Sequence, residues 1–152
     1  MKTYMRDFRE NDLSPCIMVI YNNLGRNDAF LALDDFWDEI ISDTKDYAFL
    51  KRKVVTYKRD VIGICGLYRL KTHPKNSVSI CWFAVEPKYQ NRGIGTRLIN
   101  WCISEAKRNR NKSIFVWSTF RAAPFYYGLG FRKSQTVLAP KEGDVLYVKK
   151  LK

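Results

Sequence analysis

Two glycines separate an apolar run from an amphipathic run near the middle of the chain. The segment reads Val85-Glu86-Pro87-Lys88-Tyr89-Gln90-Asn91-Arg92-Gly93-Ile94-Gly95-Thr96. The apolar run predicts a strand, the glycines predict a loop, and the amphipathic run predicts a helix that begins there. Because the first N–H groups of a helix have no partner within it and the dipole makes this end partly positive, the loop is suited to bind a phosphate or pyrophosphate.

The spacing of the glycines excludes two common phosphate-binding loops. A dinucleotide fingerprint needs a third glycine three residues after the second, where this chain has Leu98. A nucleoside-triphosphate loop ends in Gly-Lys-Ser/Thr, whereas the residues after Gly95 are threonine and arginine. What remains is the pattern Gln90-x-x-Gly93-x-Gly95, for which a tight turn without a ligand is the alternative interpretation.

The remaining pattern resembles the acetyl-CoA loop of the GNAT superfamily of N-acetyltransferases, whose motif reads Gln/Arg-x-x-Gly-x-Gly/Ala. Residues 122–131 are similar to a second motif of that superfamily, Ala-x-x-Phe-Tyr-x-x-x-Gly-Phe. The two motifs occur in the expected order, with one helix and one strand between them, and together they argue against the ligand-free turn. A weaker likeness extends to residues 6–13 and 145–151 near the ends of the chain.

The order of the predicted elements gives an α/β domain with a mixed sheet. The resemblance implies the α+β arrangement of the GNAT fold: a mixed, mostly antiparallel central sheet of about seven strands flanked by about four helices. It also implies an N-acetyltransferase that transfers the acetyl group of acetyl-CoA to a primary amine by direct attack, without an acyl-enzyme. The acceptor is left open between a small molecule and a protein amine, as is the preferred acyl chain.

The resemblance further implies which residues form the site. The pyrophosphate of acetyl-CoA would be held by the loop residues Gln90, Asn91, Arg92, Gly93, Ile94, Gly95 and Thr96. Along the preceding strand, Phe83 and Val85 would offer backbone groups to the pantetheine arm, with core packing as the alternative for Phe83. Tyr126 matches the position from which family members present a phenol to the CoA sulfur, and we expect it to be the catalytic residue.

The general base is not evident from the sequence. Some family members carry a glutamate in the strand before the loop, where this chain has Cys81, Trp82 and Phe83. Deprotonation of the amine through ordered water, or by a carboxylate of the second helix, is left open.

The acceptor site of this superfamily lies between the first two helices and the later strands. The second predicted helix carries the main acidic cluster of the chain, Asp34, Asp35, Asp38 and Glu39. Asp34 and Asp38 are the candidate acceptor-binding residues, since their charge would attract a cationic amine. An ordinary polar helix face is the alternative, and Trp37 and Trp82 would either wall the pocket or pack in the core.

The net charge of +12, from 27 Lys and Arg against 15 Asp and Glu, favours an anionic partner. The basic residues are spread along the chain without a nucleic-acid-binding motif, so we interpret most of them as solvated surface. Two alternatives to the enzyme remain: a non-catalytic module that binds acyl-CoA, and a basic protein associated with nucleic acid or the ribosome.

The composition predicts one domain over residues 1–152. No apolar run approaches the roughly 20 residues of a membrane span, and the first ten residues lack a signal core, so we expect a cytoplasmic protein without a membrane partner. The four cysteines lie far apart and predict buried, reduced thiols, with one reactive thiol as the alternative. The single histidine, His73, makes a metal site improbable. Whether the chain forms a homodimer is left open.

Hydrophobic periodicity predicts the positions of the elements. Strands are expected at residues 3–8, 47–57, 61–70, 78–85, 113–118, 131–138 and 145–151, and helices at 12–25, 29–41, 97–108 and 121–129. The first helix is expected to bury Ile17, Ile20, Tyr21 and Leu24. The second is expected to bury Phe30, Leu33, Trp37, Ile40 and Ile41.

Overall fold

Seven strands and four α-helices make up the computed structural model, which describes residues 1–152. The strands are β1 (Thr3–Asp7), β2 (Tyr47–Tyr57), β3 (Asp60–Leu70), β4 (Ser77–Val85), β5 (Ser113–Thr119), β6 (Arg132–Lys133) and β7 (Asp144–Lys150). The helices are α1 (Leu13–Leu24), α2 (Arg26–Ile40), α3 (Ile94–Arg108) and α4 (Ala123–Gly128). The expected number of strands and helices is confirmed.

All seven strands form one sheet in the order β1-β2-β3-β4-β5-β7-β6. Every neighbouring pair is antiparallel except β4 and β5, which are parallel. The expected mixed, mostly antiparallel sheet is therefore confirmed. The parallel pair requires a crossover, and the glycine loop and α3 provide it.

The parallel pair β4–β5 separates after a short contact. Only Ser77–Ser79 of β4 pair with residues of β5, although β4 continues to Val85. On its other side, β4 bulges against β3: two steps along β3, from Ile64 to Gly66, correspond to three steps along β4. Trp82 lies within the bulge and has a left-handed φ of 47°. The sheet thus opens into a cleft beyond the first residues of this pair.

The helices cover both faces of the sheet. Alternate residues of a strand point to opposite faces, and accordingly Val54 packs in a cluster with α1 and α2 while Val55 packs in a larger cluster with α3. The predicted apolar face of α3 is confirmed, because Leu98, Ile99, Cys102, Ile103 and Ala106 are all buried.

The predicted buried face of α2 is wrong. Phe36, Ala32 and Ala29 turn inward, while four of the five expected core residues are 38–59% exposed: Phe30, Leu33, Trp37 and Ile41. The two alanines allow a close approach of the helix backbone, and Phe36 fills the space against Phe8 at a ring distance of 5.5 Å. The bulky apolar stripe is left on the flank of the helix.

Two further predictions differ from the structure. In α1 the buried residues are Cys16, Val19 and Ile20, whereas Tyr21 and Leu24 are about half exposed. The strand expected at residues 131–138 shortens to two residues, because the chain leaves the sheet after pairing with β7.

Candidate functional site

A cavity of about 830 Å³ occupies the cleft between the separated strands. Five loop residues line it, Gln90, Asn91, Gly93, Gly95 and Thr96, together with residues 80–85 of β4 and 116–119 of β5. Phe125 and Tyr126 of α4 contribute a further wall. The rest of the lining comes mainly from α2, from β2 and β3, and from the segment before β7, and includes Asp28, Asp35, Tyr47, Arg52, Tyr68 and Lys141.

The glycine loop leads into α3, as the sequence predicts, but the helix begins at Ile94, three residues before the expected start. Gly93 has a left-handed φ of 81°, which favours glycine. The first helical bond here runs from the Arg97 N–H to the Gly93 carbonyl, so the N–H groups of Ile94, Gly95 and Thr96 have no partner within the helix. A Cβ on Gly95 would lie 3.2 Å from the Phe83 ring, so this glycine also allows close packing of helix on strand.

Gln90 holds the loop in place through the end of β4. Its amide donates to the Asn23 side chain at 2.8 Å and to the Val85 carbonyl at 2.9 Å. Asn23 itself donates to the same Val85 carbonyl at 2.9 Å. Both lone pairs of this carbonyl are therefore occupied. Nothing in the sequence indicated Asn23, because it lies 62 residues from Val85 along the chain.

Two of the predicted loop residues have side chains that do not line the cavity. Ile94 is 2% exposed and belongs to the core. Arg92 is exposed, with its guanidinium 5.7 Å from the centre of the Tyr89 ring. Glu86 is likewise absent from the cavity wall, and both of its carboxylate oxygens accept from Asn22 at 3.1 Å.

Tyr126 lies on the cavity wall and is 2% exposed. Its ring stacks on Tyr147 at a centroid distance of 4.8 Å and meets Phe125 and Phe131 edge to face. The neighbouring Tyr127 is 42% exposed and does not line the cavity. The expectation that only one of the two tyrosines faces the interior of the site agrees with this arrangement.

Burial raises the pKa of Tyr126 above the ordinary value of a phenol, and hydrogen bonding with Ser118 opposes the rise only in part. The phenol is therefore protonated at neutral pH. In this state it can donate a hydrogen bond into the cavity, and it cannot act as a base.

The acids that line the cavity are neighbours of those expected from the sequence. Asp34 and Asp38 are exposed and lie outside it, whereas Asp28 and Asp35 of the same helix line it. The two are seven residues apart, about two helical turns, and so share one face. Asp28 pairs with Lys141, and Asp35 accepts a hydrogen bond of 2.8 Å from the indole of Trp82.

The two candidate tryptophans separate in the same way. Trp82 lines the cavity, while Trp37 is 52% exposed and lies outside it.

Arg52 of β2 is a buried cation at the cavity wall that no pattern in the sequence predicts. It is 5% exposed, and its Nε donates to the Glu39 carboxylate at 2.9 Å. Its guanidinium lies over the Phe36 ring, 4.3 Å from the centroid. Arg52 lies between Lys51 and Lys53 in the sequence, and nothing distinguishes it from these two neighbours as the residue that points inward.

All four cysteines are free thiols. Cys16, Cys65 and Cys102 are buried, as expected, while Cys81 is half buried and lines the cavity. No three His, Cys, Asp or Glu side chains lie together in a way that could hold a metal ion. None of the helices combines the length and the apolar character needed to cross a membrane.

The fold is shared with solved acetyltransferase structures. A putative GNAT-family acetyltransferase from Desulfovibrio desulfuricans superposes with a TM-score of 0.82 at 17% identity, over 98% of this chain and 99% of the other. The PaiA N-acetyltransferase from Thermoplasma acidophilum, in complex with coenzyme A, has a TM-score of 0.76 at 17% identity, over 99% and 100%. The ribosomal-protein-S18-alanine N-acetyltransferase from Escherichia coli has a TM-score of 0.73 at 13% identity, over 98% and 94%.

Sequence comparison gives the family directly. No curated protein matches the chain in sequence. The family model for the acetyltransferase (GNAT) domain matches residues 46–133, from just before β2 to the end of β6. This match spans more than half of the chain and includes both motifs, so the protein belongs to the GNAT acetyltransferases and is an acyltransferase whose donor is acetyl-CoA.

Proposed function

We propose that this enzyme transfers the acetyl group to a primary amine by direct attack, with Tyr126 stabilising the departing thiolate. One observation carries the proposal: a single cavity touches the glycine loop, Tyr126 and the carboxylate of Asp35. A donor phosphate, a leaving sulfur and a cationic amine would each meet a group of suitable charge or polarity within it.

The loop residues would hold the donor through its pyrophosphate. The unpartnered N–H groups of Ile94, Gly95 and Thr96 would donate to the phosphate oxygens, where the helix dipole adds a favourable field. Gln90 would act by fixing the loop to α1, since its amide is already engaged. Because the Val85 carbonyl is also engaged, a pantetheine arm along β4 would have to use other backbone groups of this strand.

The phenol of Tyr126 would donate a hydrogen bond to the leaving sulfur. The ordinary pKa values, about 10 for a phenol and about 8.5 for a thiol, make full proton transfer uphill by roughly 2 kcal/mol. Burial of Tyr126 widens this gap. Stabilisation of the developing negative charge by a hydrogen bond is therefore the role we assign to it.

Asp35 would receive the acceptor amine. Its carboxylate lines the cavity and is oriented by Trp82, so it is placed to accept a hydrogen bond from an ammonium group. The ammonium would lose one proton to Asp35, directly or through water, and the neutral amine would then attack the thioester carbonyl. The C–S bond would break to release CoA as the thiolate, and the nitrogen would lose its second proton to solvent. This assigns to α2 the carboxylate that β4 lacks.

The test is release of CoA in the presence of a panel of primary amines, with the product identified by mass spectrometry. Asp35→Asn should raise the KM for the amine and lower kcat, because the carboxylate is lost. Asp34→Asn is the matched control on the same helix and should leave both constants unchanged, since Asp34 is outside the cavity. Binding of acetyl-CoA without CoA release for any amine would support the non-catalytic module instead. Accumulation of an acetylated enzyme would contradict direct attack.

A further inference from the structure

One buried side-chain nitrogen or oxygen of the structure has no hydrogen-bond partner, and it belongs to Arg52. The Nε of this side chain is bound to Glu39, but the Nη1 nitrogen is buried and unpaired. Buried donors in folded proteins are nearly always paired, so an unpaired guanidinium nitrogen requires an explanation. A ligand that completes the pairing is one such explanation, because Arg52 lines the cavity.

The sheet leaves space for this guanidinium by means of a glycine. Arg52 pairs with Gly66 across β2 and β3, and Gly66 pairs with Cys81 across β3 and β4. A Cβ on Gly66 would lie 2.7 Å from Nη1 of Arg52 and 2.8 Å from the sulfur of Cys81. The arginine therefore extends over a bare stretch of backbone toward the half-buried thiol. Any other residue at position 66 would displace it.

The polar side chains nearest the guanidinium are Glu39 and the thiol of Cys81, and neither gives Nη1 an anionic partner. Glu39 from α2 takes the Nε side, and Asp35 from the same helix is engaged by Trp82. Burial raises the pKa of Cys81 to about 11, so its thiol is neutral and does not balance the charge. A planar anion such as a carboxylate matches the fork of donors that arginine presents.

Building on the proposed function, we propose that Arg52 binds the carboxylate of the acceptor, so that the substrate class is amines that also carry a carboxylate, as amino acids do. The ammonium group would face Asp35 and the carboxylate would face Arg52. Tyr47, Tyr68 and Trp82 line the same cavity and provide aromatic surface for an apolar or aromatic side chain. The side chain of such an acceptor would thus be accommodated next to its two charged groups.

Cys81 provides a probe that is independent of acetyl transfer. It is the one cysteine that is not buried, and it lies beside Arg52. Iodoacetate and iodoacetamide alkylate the same thiolate, but only iodoacetate carries a carboxylate. We define the normalised ratio as the rate with iodoacetate over the rate with iodoacetamide at Cys81, divided by the same ratio for free cysteine. It reports whether a carboxylate is attracted to the cavity wall beside Arg52. Both rates depend equally on the thiolate fraction, so the raised pKa cancels in the ratio.

We expect the normalised ratio to favour iodoacetate in the wild type. It should fall by about tenfold or more in Arg52→Met, because the variant loses one hydrogen bond to a charged group. Arg52→Met/Glu39→Gln removes both charges and is the variant to use if the single change does not fold. Arg59→Met, at an exposed arginine in the β2–β3 turn, should leave the ratio unchanged. An equal ratio in wild type and Arg52→Met would overturn the proposal.

The second arm compares L-phenylalanine with phenethylamine as acceptors, since the two differ only in the carboxylate. We expect kcat/KM to be at least tenfold higher for the amino acid in the wild type, and this preference to be lost in Arg52→Met. Equal use of both amines would overturn the carboxylate assignment and leave the acetyltransferase intact. If no amine releases CoA, the proposed function fails, while the labelling ratio still decides whether Arg52 binds carboxylates.

Discussion

Replacing Tyr126 with phenylalanine removes one hydroxyl group from the cavity wall and keeps the ring. The stack on Tyr147 and the edge contacts with Phe125 and Phe131 involve the ring alone. We therefore expect the variant to fold normally and to bind acetyl-CoA as tightly as the wild type. The effect should be confined to kcat, because the hydroxyl acts on charge that develops only as the sulfur departs.

The size of the effect follows from the burial of this residue. A phenol whose pKa is raised above its ordinary value is a poor proton donor toward a thiolate, so a hydrogen bond is the contribution that we expect of Tyr126. A hydrogen bond to a charged group is worth about 1.5–3 kcal/mol. At about 1.4 kcal/mol per factor of ten, kcat should fall by roughly 10- to 150-fold.

The assay is steady-state release of CoA with a saturating amine, followed across pH. Tyr127→Phe is the matched control, because Tyr127 is 42% exposed and outside the cavity, and it should leave kcat unchanged. The pH profile of kcat should have the same shape in the wild type and in Tyr126→Phe between pH 6 and about 10. The reason is that the phenol remains protonated throughout this range. An unchanged kcat in Tyr126→Phe would refute the hydrogen-bond role. A loss well above a thousandfold, together with a lost titration, would show that Tyr126 transfers its proton after all.

Three further substitutions test the fold and the donor site. Phe36→Ala should lower the free energy of unfolding by about 3–5 kcal/mol in chemical denaturation, whereas Trp37→Ala should cost less than about 1 kcal/mol because half of its surface is exposed; equal costs would restore the face predicted from sequence. Burial raises the pKa of Glu105, but its cationic partners outweigh this and lower it overall. Its stabilising effect is therefore present above about pH 4.5 and lost as the pH falls, and Glu105→Gln should cost about 1–2 kcal/mol at pH 7 and flatten this acid dependence. Gly95→Val should weaken acetyl-CoA binding at least tenfold by calorimetric titration, since its side chain would meet an aromatic ring of β4, while Gly128→Ala, with open space around it, should not.

The sequence could predict the glycine loop and Tyr126, which line one cavity, because each belongs to a contiguous motif. The glycine loop and the Phe-Tyr segment are each contiguous, and both depend on backbone geometry that few residue types allow. Gly93 adopts a left-handed φ, and Gly95 lies too close to an aromatic ring to carry a side chain without displacing it. Each constraint selects glycine at a fixed position of one contiguous motif, so the sequence itself records it.

The acceptor half depends on contacts between distant segments, which a single sequence does not record. The second helix carries two apolar faces, and the size of the side chains predicts burial of the wrong one. Because Phe36 and two alanines face inward instead, the acids that reach the cavity are Asp28 and Asp35 rather than Asp34 and Asp38. One error of helix orientation thus accounts for both the wrong core residues and the different acids.

The bulge in β4 explains why a strand that reads as uniformly apolar carries the chemistry of the acceptor side. Regular alternation would place Cys81 and Trp82 on opposite faces of the sheet. In the structure, Cys81 lies beside Arg52, and Trp82 packs in the α1–α2 cluster and bonds Asp35, so both point to the face that α2 covers. The extra residue of β4 between the Ile64–Ala84 pair and the Gly66–Cys81 pair allows this. The positive φ of Trp82 is therefore the local strain that brings the thiol and the indole to the cavity wall where Arg52 and Asp35 also lie.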